Sequence, residues 1–196
     1  MKEFDKLAPW QIVGEDDEIN NRFLRVRNVT FKLPNDQIMK DYFLAEKTPV
    51  AVIIPVKDGK TYLIREWERG VSEVGHKFPA GRVDKGEEPR VGAARELKEE
   101  LGLEAHELTF LGETYVDPGF MTTLAYYFLC TDFDDKSHEV EEDPFELFEG
   151  EWVDFASIEA MIYANEVKNP YVIVGFFLAK KKLEESSSQS TDDGSR

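Results

Sequence analysis

The sequence predicts an α+β domain, on three observations. Runs of β-branched and aromatic residues fill the early part of the chain, one sharply bounded helix follows, and further strand-like runs lead into two helical segments at the end. Taken in order, "FLRVRNVTFKL" and "IMKDYFL" read as a small antiparallel pair across the turn-prone "PNDQ". "PVAVIIPVKDGKTYLIREW" then holds two apolar runs around "KDGK", where glycine tolerates the positive φ of a tight hairpin. The helix over residues 88–101 sets Ala94, Leu97 and Leu101 at helical spacing, with Pro89 in its first turn and Gly102 just past its end. "LTFLGETYV" and "TLAYYFLCTDF" read as strands joined by the turn in "DPGFM", residues 132–143 as an acidic loop, and "GEWVDF" as a strand. "ASIEAMIYANE" and "YVIVGFFLAKKKLEE" read as helices, and "SSSQSTDDGSR", which lacks any apolar residue, as a disordered tail. The expected organisation is an N-terminal strand region over 1–48, a main domain over 49–183 and the tail over 184–196.

Composition narrows the partners. With 41% hydrophobic and 12% aromatic residues, the 196-residue chain is of globular type. Its 40 acidic residues against 24 basic ones give a net charge of -16, which opposes binding to nucleic acid phosphates or anionic membranes. No apolar run approaches the roughly 20 residues that span a bilayer, so a soluble, cytoplasmic protein is expected. The single cysteine, Cys130, sits in the strand-like "LAYYFLC" and reads as a core residue.

The stretch "GRVDKGEEPRVGAARELKEELGL", residues 81–103, carries the chemistry. On a helix, Glu96, Glu99 and Glu100 fan beside the apolar stripe, and such like charges repel. A solvated face is the ordinary reading of a Glu-rich helix. A hard divalent cation is the other way to relieve the repulsion, since Mg²⁺ favours a few carboxylates together with water and phosphate oxygens.

The wider pattern selects the second reading. Gly81, five residues, Glu87, seven residues, then Arg95, Glu96, Leu97, Glu99, Glu100, Gly102 and Leu103 resemble the signature of the Nudix hydrolases at every specified position. That resemblance implies a mixed β-sheet core sandwiched between helices, here with a small N-terminal antiparallel β-sheet. It implies Glu96 and Glu100 as metal ligands, Glu99 as a further ligand or the base, and the carbonyl of Ala80 as another ligand. Gly81, Glu87, Arg95 and Gly102 would support the loop and helix, and the implied cofactor is Mg²⁺, with Mn²⁺ as the alternative.

Three features look like the ADP-ribose and nucleotide-sugar pyrophosphatase branch: "FPAGRVDKGEEP", Pro118 in "YVDPGF", and the N-terminal strands, which in that branch help to build a homodimer and its substrate cleft. The sequence departs from that branch at Glu68, where Arg is common, and at Lys77, where Glu is common. Arg65 is then a candidate diphosphate contact, with Pro118 and the aromatic Trp10 and Phe120 as further substrate-binding candidates. In "EVEEDPFELFEGEW", Glu146 is the candidate extra ligand, and Glu142 or Asp143 the candidate general base beside Glu99. The implied reaction is Mg²⁺-dependent hydrolysis of a nucleoside diphosphate derivative, ADP-ribose to AMP and ribose 5-phosphate. The alternatives are a nucleotide sugar, NADH or a dinucleoside polyphosphate, or a non-catalytic nucleotide-binding module.

Overall fold

A computed structural model describes residues 5–140 and 147–192. The chain divides into two compact units, one built from Met1–Thr48 with Tyr115–Leu124, the other from Pro49–Thr114 and Ala125–Arg196.

The first unit is an antiparallel sheet in the order β1 (Gln11–Asn20), β2 (Arg25–Lys32), β3 (Ile38–Glu46). The sequence reading found β2 and β3 but not β1. "QIVGEDDEIN" is exposed along its whole length and shows no sustained alternation of apolar and polar residues. Ion pairs help to hold it: Arg27 on β2 reaches Glu15 on β1 at 2.5 Å and Glu46 on β3 at 2.5 Å. Asp36, at φ 64, closes the turn between β2 and β3. The segment Tyr115–Leu124 belongs to the same unit, where Met121 bridges to Ala45 and the Tyr42 hydroxyl donates to the Gly119 carbonyl.

The second unit contains β4 (Val50–Lys57), β5 (Lys60–Glu68), β6 (Glu73–Lys77), β7 (Ala80–Arg82), α1 (Pro89–Leu101), β8 (Leu103–Tyr115), β9 (Leu124–Asp135), β10 (Phe148–Asp154), α2 (Phe155–Tyr163) and α3 (Pro170–Asp192). Its mixed sheet runs β10-β5-β4-β9-β8, with β4 parallel to β9. Asp58 at φ 52 and Gly59 at φ 73 form the hairpin turn after β4, where two successive positive values suit the twist of the strands. Beyond Val56↔Thr61 the two strands of that hairpin separate. β6 then pairs with β5 and β7 with β4, so the short strands fill the gap that opens between them. At five and three residues, neither strand is long enough to leave a pattern to read.

β4 is buried on both faces, which is why it reads as a nearly continuous apolar run. Ala51 and Ile53 pack with Leu97 and Leu101 of α1. Ile54 and Phe78 meet Gly175 of α3. The result is a mixed sheet between helices. The buried stripe of α1 is Ala93, Leu97 and Leu101, with Ala94 only partly covered, a shift of one position from the expected spacing. Pro89 opens α1, and Gly102, left-handed at φ 65, ends it by donating to the carbonyls of Leu97 and Lys98.

Two boundaries differ from the sequence reading. β9 continues to Asp135, beyond the expected start of the acidic loop, and is followed by a 3-10 turn at Ser137–Glu139. α3 runs to Asp192, so residues 184–192 are helical where a disordered tail was expected. Ser186, Ser187 and Ser188 donate to the carbonyls of Lys182, Leu183 and Glu184 at 2.9–3.0 Å, which satisfies their hydroxyls within the helix.

At the end of α1, Glu104 accepts from Lys136 and, at 2.5 Å, from Lys98. The Lys136 ammonium first, and Lys98 second, pull its carboxyl down to about 2 from an ordinary 4.5. A depressed carboxylate stabilises the fold above its unfolded pKa, and that contribution disappears as pH falls through the folded value. Glu104→Gln is therefore expected to lower stability by a constant amount above about pH 5, with wild type and variant converging toward pH 2. Urea titrations across that range would read it; a difference that persists undiminished at pH 2 would contradict the assignment.

Candidate active site

The site is built where α1 lies on β7. Gly81 has no side chain, and a Cβ placed there would fall 1.8 Å from the Cδ of Glu96. The Glu96 carboxylate thus fills the space that any other residue at position 81 would occupy. One turn further along the helix, Glu100 accepts from the Ala80 amide at 3.1 Å. Two carboxylates therefore converge on the Ala80–Gly81 backbone, because positions i and i+4 share a helix face. Glu99 points away: its side chain is 60% exposed, against 16% for Glu96 and 7% for Glu100.

Arg95 organises this group. It donates to Glu87 at 3.0 and 3.1 Å, to Glu96 at 2.7 Å, to Glu99 at 3.1 Å and to the Arg82 carbonyl at 2.9 Å. These bonds raise its affinity for its proton further, Glu87 contributing most and Glu96 next. In turn Arg95, followed by the Asp84 amide, holds the Glu87 carboxyl below the usual range. The loop between β7 and α1 is thereby fastened to the helix by one planar, fork-shaped cation.

Glu100 is governed differently. Its carboxyl is pushed up to about 7, burial being the largest cause, with Lys77 and the Ala80 amide opposing the rise and Glu96 adding to it. The Lys77 ammonium lies 3.4 Å from Glu100 and 2.5 Å from Glu66. Burial weakens its hold on the proton, but Glu100 and Glu66 outweigh that, so Lys77 stays charged. Lys77 and Glu66 were not among the expected site residues. The signal was present in the departure at position 77, but Glu66 becomes visible only through the pairing of β5 with β6.

The remaining expected residues are distributed. β5 alternates, so Ile64 and Glu66 share the α1 side while Arg65 points to the opposite face, pairing with Glu149 at 3.7 Å. The structure does not bring Arg65 beside Glu96 and Glu100. In the first unit, Trp10 packs edge-to-face on Phe31 at 5.8 Å, Pro118 stands in the turn closed by the Met121 amide on Asp117, and Phe120 is partly exposed. Glu142, Asp143 and Glu146 lie outside the described residues. A cavity of about 340 Å³ opens next to Glu100, lined with Tyr62, Phe148 and Trp152 on one side and Asp135, Ser137 and Val140 on another. Cys130 is a free core thiol, and burial pushes it up to about 11.

Among the described residues, no group of three or more His, Cys, Asp or Glu closes on one point. What the site offers is carboxylate oxygen: Glu96 and Glu100 against one stretch of backbone, neutralised by Arg95 and Lys77. An all-oxygen set of two acids fits a hard divalent cation that completes its shell with water and phosphate, and does not fit a soft metal. No helix of the described residues is long and apolar enough to cross a membrane.

The NUDIX domain family model matches residues 47–173. The ADP-ribose pyrophosphatase of Bacillus subtilis is 32% identical over 116 residues, covering 58% of this chain and 63% of that protein, so the match spans less than two thirds of the relative's length. The methanol dehydrogenase activator of Bacillus methanolicus is 27% identical over 164 residues, covering 82% of this chain and 86% of that protein. A crystal structure of an ADP compounds hydrolase superposes with a TM-score of 0.79 over 93% of this chain and 98% of its own, and at 23% identity it shows the shared fold. With the family model spanning most of the chain and the motif of residues 81–103 lying where α1 meets β7, the chain belongs to the Nudix hydrolase family and is similar to its ADP-ribose pyrophosphatase-like branch.

Proposed function

We propose that this protein hydrolyses the diphosphate bond of a nucleoside diphosphate derivative with Mg²⁺ as cofactor, and that ADP-ribose, giving AMP and ribose 5-phosphate, is its substrate. The observation that carries the reading is the convergence of the Glu96 and Glu100 carboxylates on Ala80 and Gly81. The likeness to the ADP-ribose pyrophosphatase of Bacillus subtilis supports the choice of substrate.

In this reading Glu96, Glu100 and the Ala80 carbonyl hold the cation. Bound there, the cation would supply charge neutralisation of the diphosphate and acidification of a water. Arg95 fixes the direction of Glu96, and through Glu87 it fixes the loop that carries Gly81. Water attacks one phosphorus, the bond from that phosphorus to the bridging oxygen breaks, and the departing phosphate takes the electron pair. A carboxylate accepts the proton of the attacking water. Glu99 is exposed enough to serve, and Glu142 and Glu146 are the other candidates for that proton, with Glu146 also a candidate ligand.

A second reading, that the protein acts on a partner enzyme, is favoured by the long match to the methanol dehydrogenase activator. A panel of ADP-ribose, nucleotide sugars, NADH and dinucleoside polyphosphates with Mg²⁺ and product identification separates the two. AMP and ribose 5-phosphate are expected from ADP-ribose; binding without product from any member of the panel would reject hydrolysis. Glu100→Gln is expected to reduce turnover by about a hundredfold or more while leaving thermal melting nearly unchanged. Wild-type turnover in that variant would remove Glu100 from the cation site.

We also propose a homodimer formed through the N-terminal sheet, where Trp10, Ile12, Val13 and Ile19 are exposed apolar side chains on or beside β1. Light scattering should give twice the chain mass, and a monomer after deletion of the first 48 residues. A monomeric full-length protein would exclude it.

A further inference from the structure

Lys77 stands in an unusual place for a lysine. Its side chain is 23% exposed and lies between two carboxylates that are more buried still, Glu66 at 14% and Glu100 at 7%. Register explains the grouping. Lys77 on β6 faces Ile64 on β5, Glu66 follows two residues later on the same side, and Phe148 of β10 lies opposite Glu66. The ammonium sits 6.0 Å from the centre of the Phe148 ring. Arg69 also approaches Glu66, at 3.5 Å, so Glu66 keeps a cationic neighbour if Lys77 leaves.

Lys77 faces Oε1 of Glu100 while Oε2 accepts from the Ala80 amide, so a divalent cation taken up by this carboxylate competes with the ammonium for it and repels the ammonium at close range. Arg95 is already committed to three carboxylates and a carbonyl, whereas Lys77 is a point charge on a four-carbon stem with three rotatable donors. Arg65 lies on the other face of β5.

We propose that Lys77 is a movable counter-cation of this site: it joins Glu100 to Glu66 before a divalent cation is taken up, and afterwards leaves Glu100 to pair with a phosphate oxygen of the substrate. The assignment rests on the reading of Glu100 as a carboxylate that faces the cation. It gives position 77 a role in both cation uptake and substrate binding, and it means that the substrate's negative charge and the cation's positive charge enter as a linked pair.

Mn²⁺ titration of the substrate-free protein, followed by the spectrum of free Mn²⁺, tests it on wild type, Lys77→Gln, Lys77→Arg and Glu100→Gln. With the competing positive charge removed, Lys77→Gln is expected to bind Mn²⁺ about tenfold tighter. Its KM for ADP-ribose should rise about tenfold, by more than kcat falls. Lys77→Arg, which keeps the charge, should retain near wild-type Mn²⁺ affinity. Unchanged or weaker Mn²⁺ binding by Lys77→Gln overturns the proposal. Should Lys77→Gln not fold, Mg²⁺ titration of wild type followed by the side-chain NMR signal of Lys77 decides: a shift on cation binding supports the movement, and a constant signal overturns it. Glu100→Gln with wild-type Mn²⁺ affinity would instead defeat the reading of Glu100, whatever Lys77 does.

Discussion

The close approach of Glu96 to Gly81 is the constraint from which the rest of the site follows. A carboxylate can lie on the backbone of β7 only because position 81 lacks a side chain, and that contact sets the height and rotation of α1 on the sheet. With the helix so placed, Glu100 falls on the Ala80 amide and Leu97 and Leu101 fall into the core. The apolar stripe and the acidic edge of α1 are therefore two consequences of one docking geometry.

Gathering acids at a partly buried helix edge is unfavourable unless each finds a partner. The molecule resolves this with two cations of different character. Arg95, planar and multiply bonded, is a fixed part of the framework between Glu87 and the helix. Lys77 reaches in from a strand and touches Glu100 at 3.4 Å, a longer contact than its 2.5 Å approach to Glu66. The acidic balance of the whole chain, -16, says nothing of this local arrangement, in which positive and negative groups alternate within a few ångströms.

Legibility in the sequence followed the range of the interactions. The bounds of α1 were readable to within one residue because Pro89 and Gly102 act locally on the backbone, and the β4–β5 turn was readable because "DG" carries its own positive φ values. β6 and β7 were not, since a strand of five or three residues is defined by the partners it finds rather than by its own pattern. The same limit hid Glu66 and turned Arg65 away from the carboxylates, because the side on which a strand residue points depends on register with β10 and β6. The serines after Leu183 lack apolar periodicity, so the continuation of α3 through them left no pattern in the sequence, and their hydroxyls bond back to carbonyls of the preceding turn.

The parallel pairing of β4 with β9 has a consequence for how the molecule assembles. Val50 lies in register with Ala125, so the central pair of the sheet must close a long stretch of chain before it gains any contact energy. The β4–β5 hairpin and α1 are local and can form early; β7 depends on β4, and the carboxylate site depends on β7. The β4–β9 pairing is the longest closure in that sheet apart from that of β10 on β5, and a chain caught before it would expose the apolar β4 as an unpaired edge open to association with another copy.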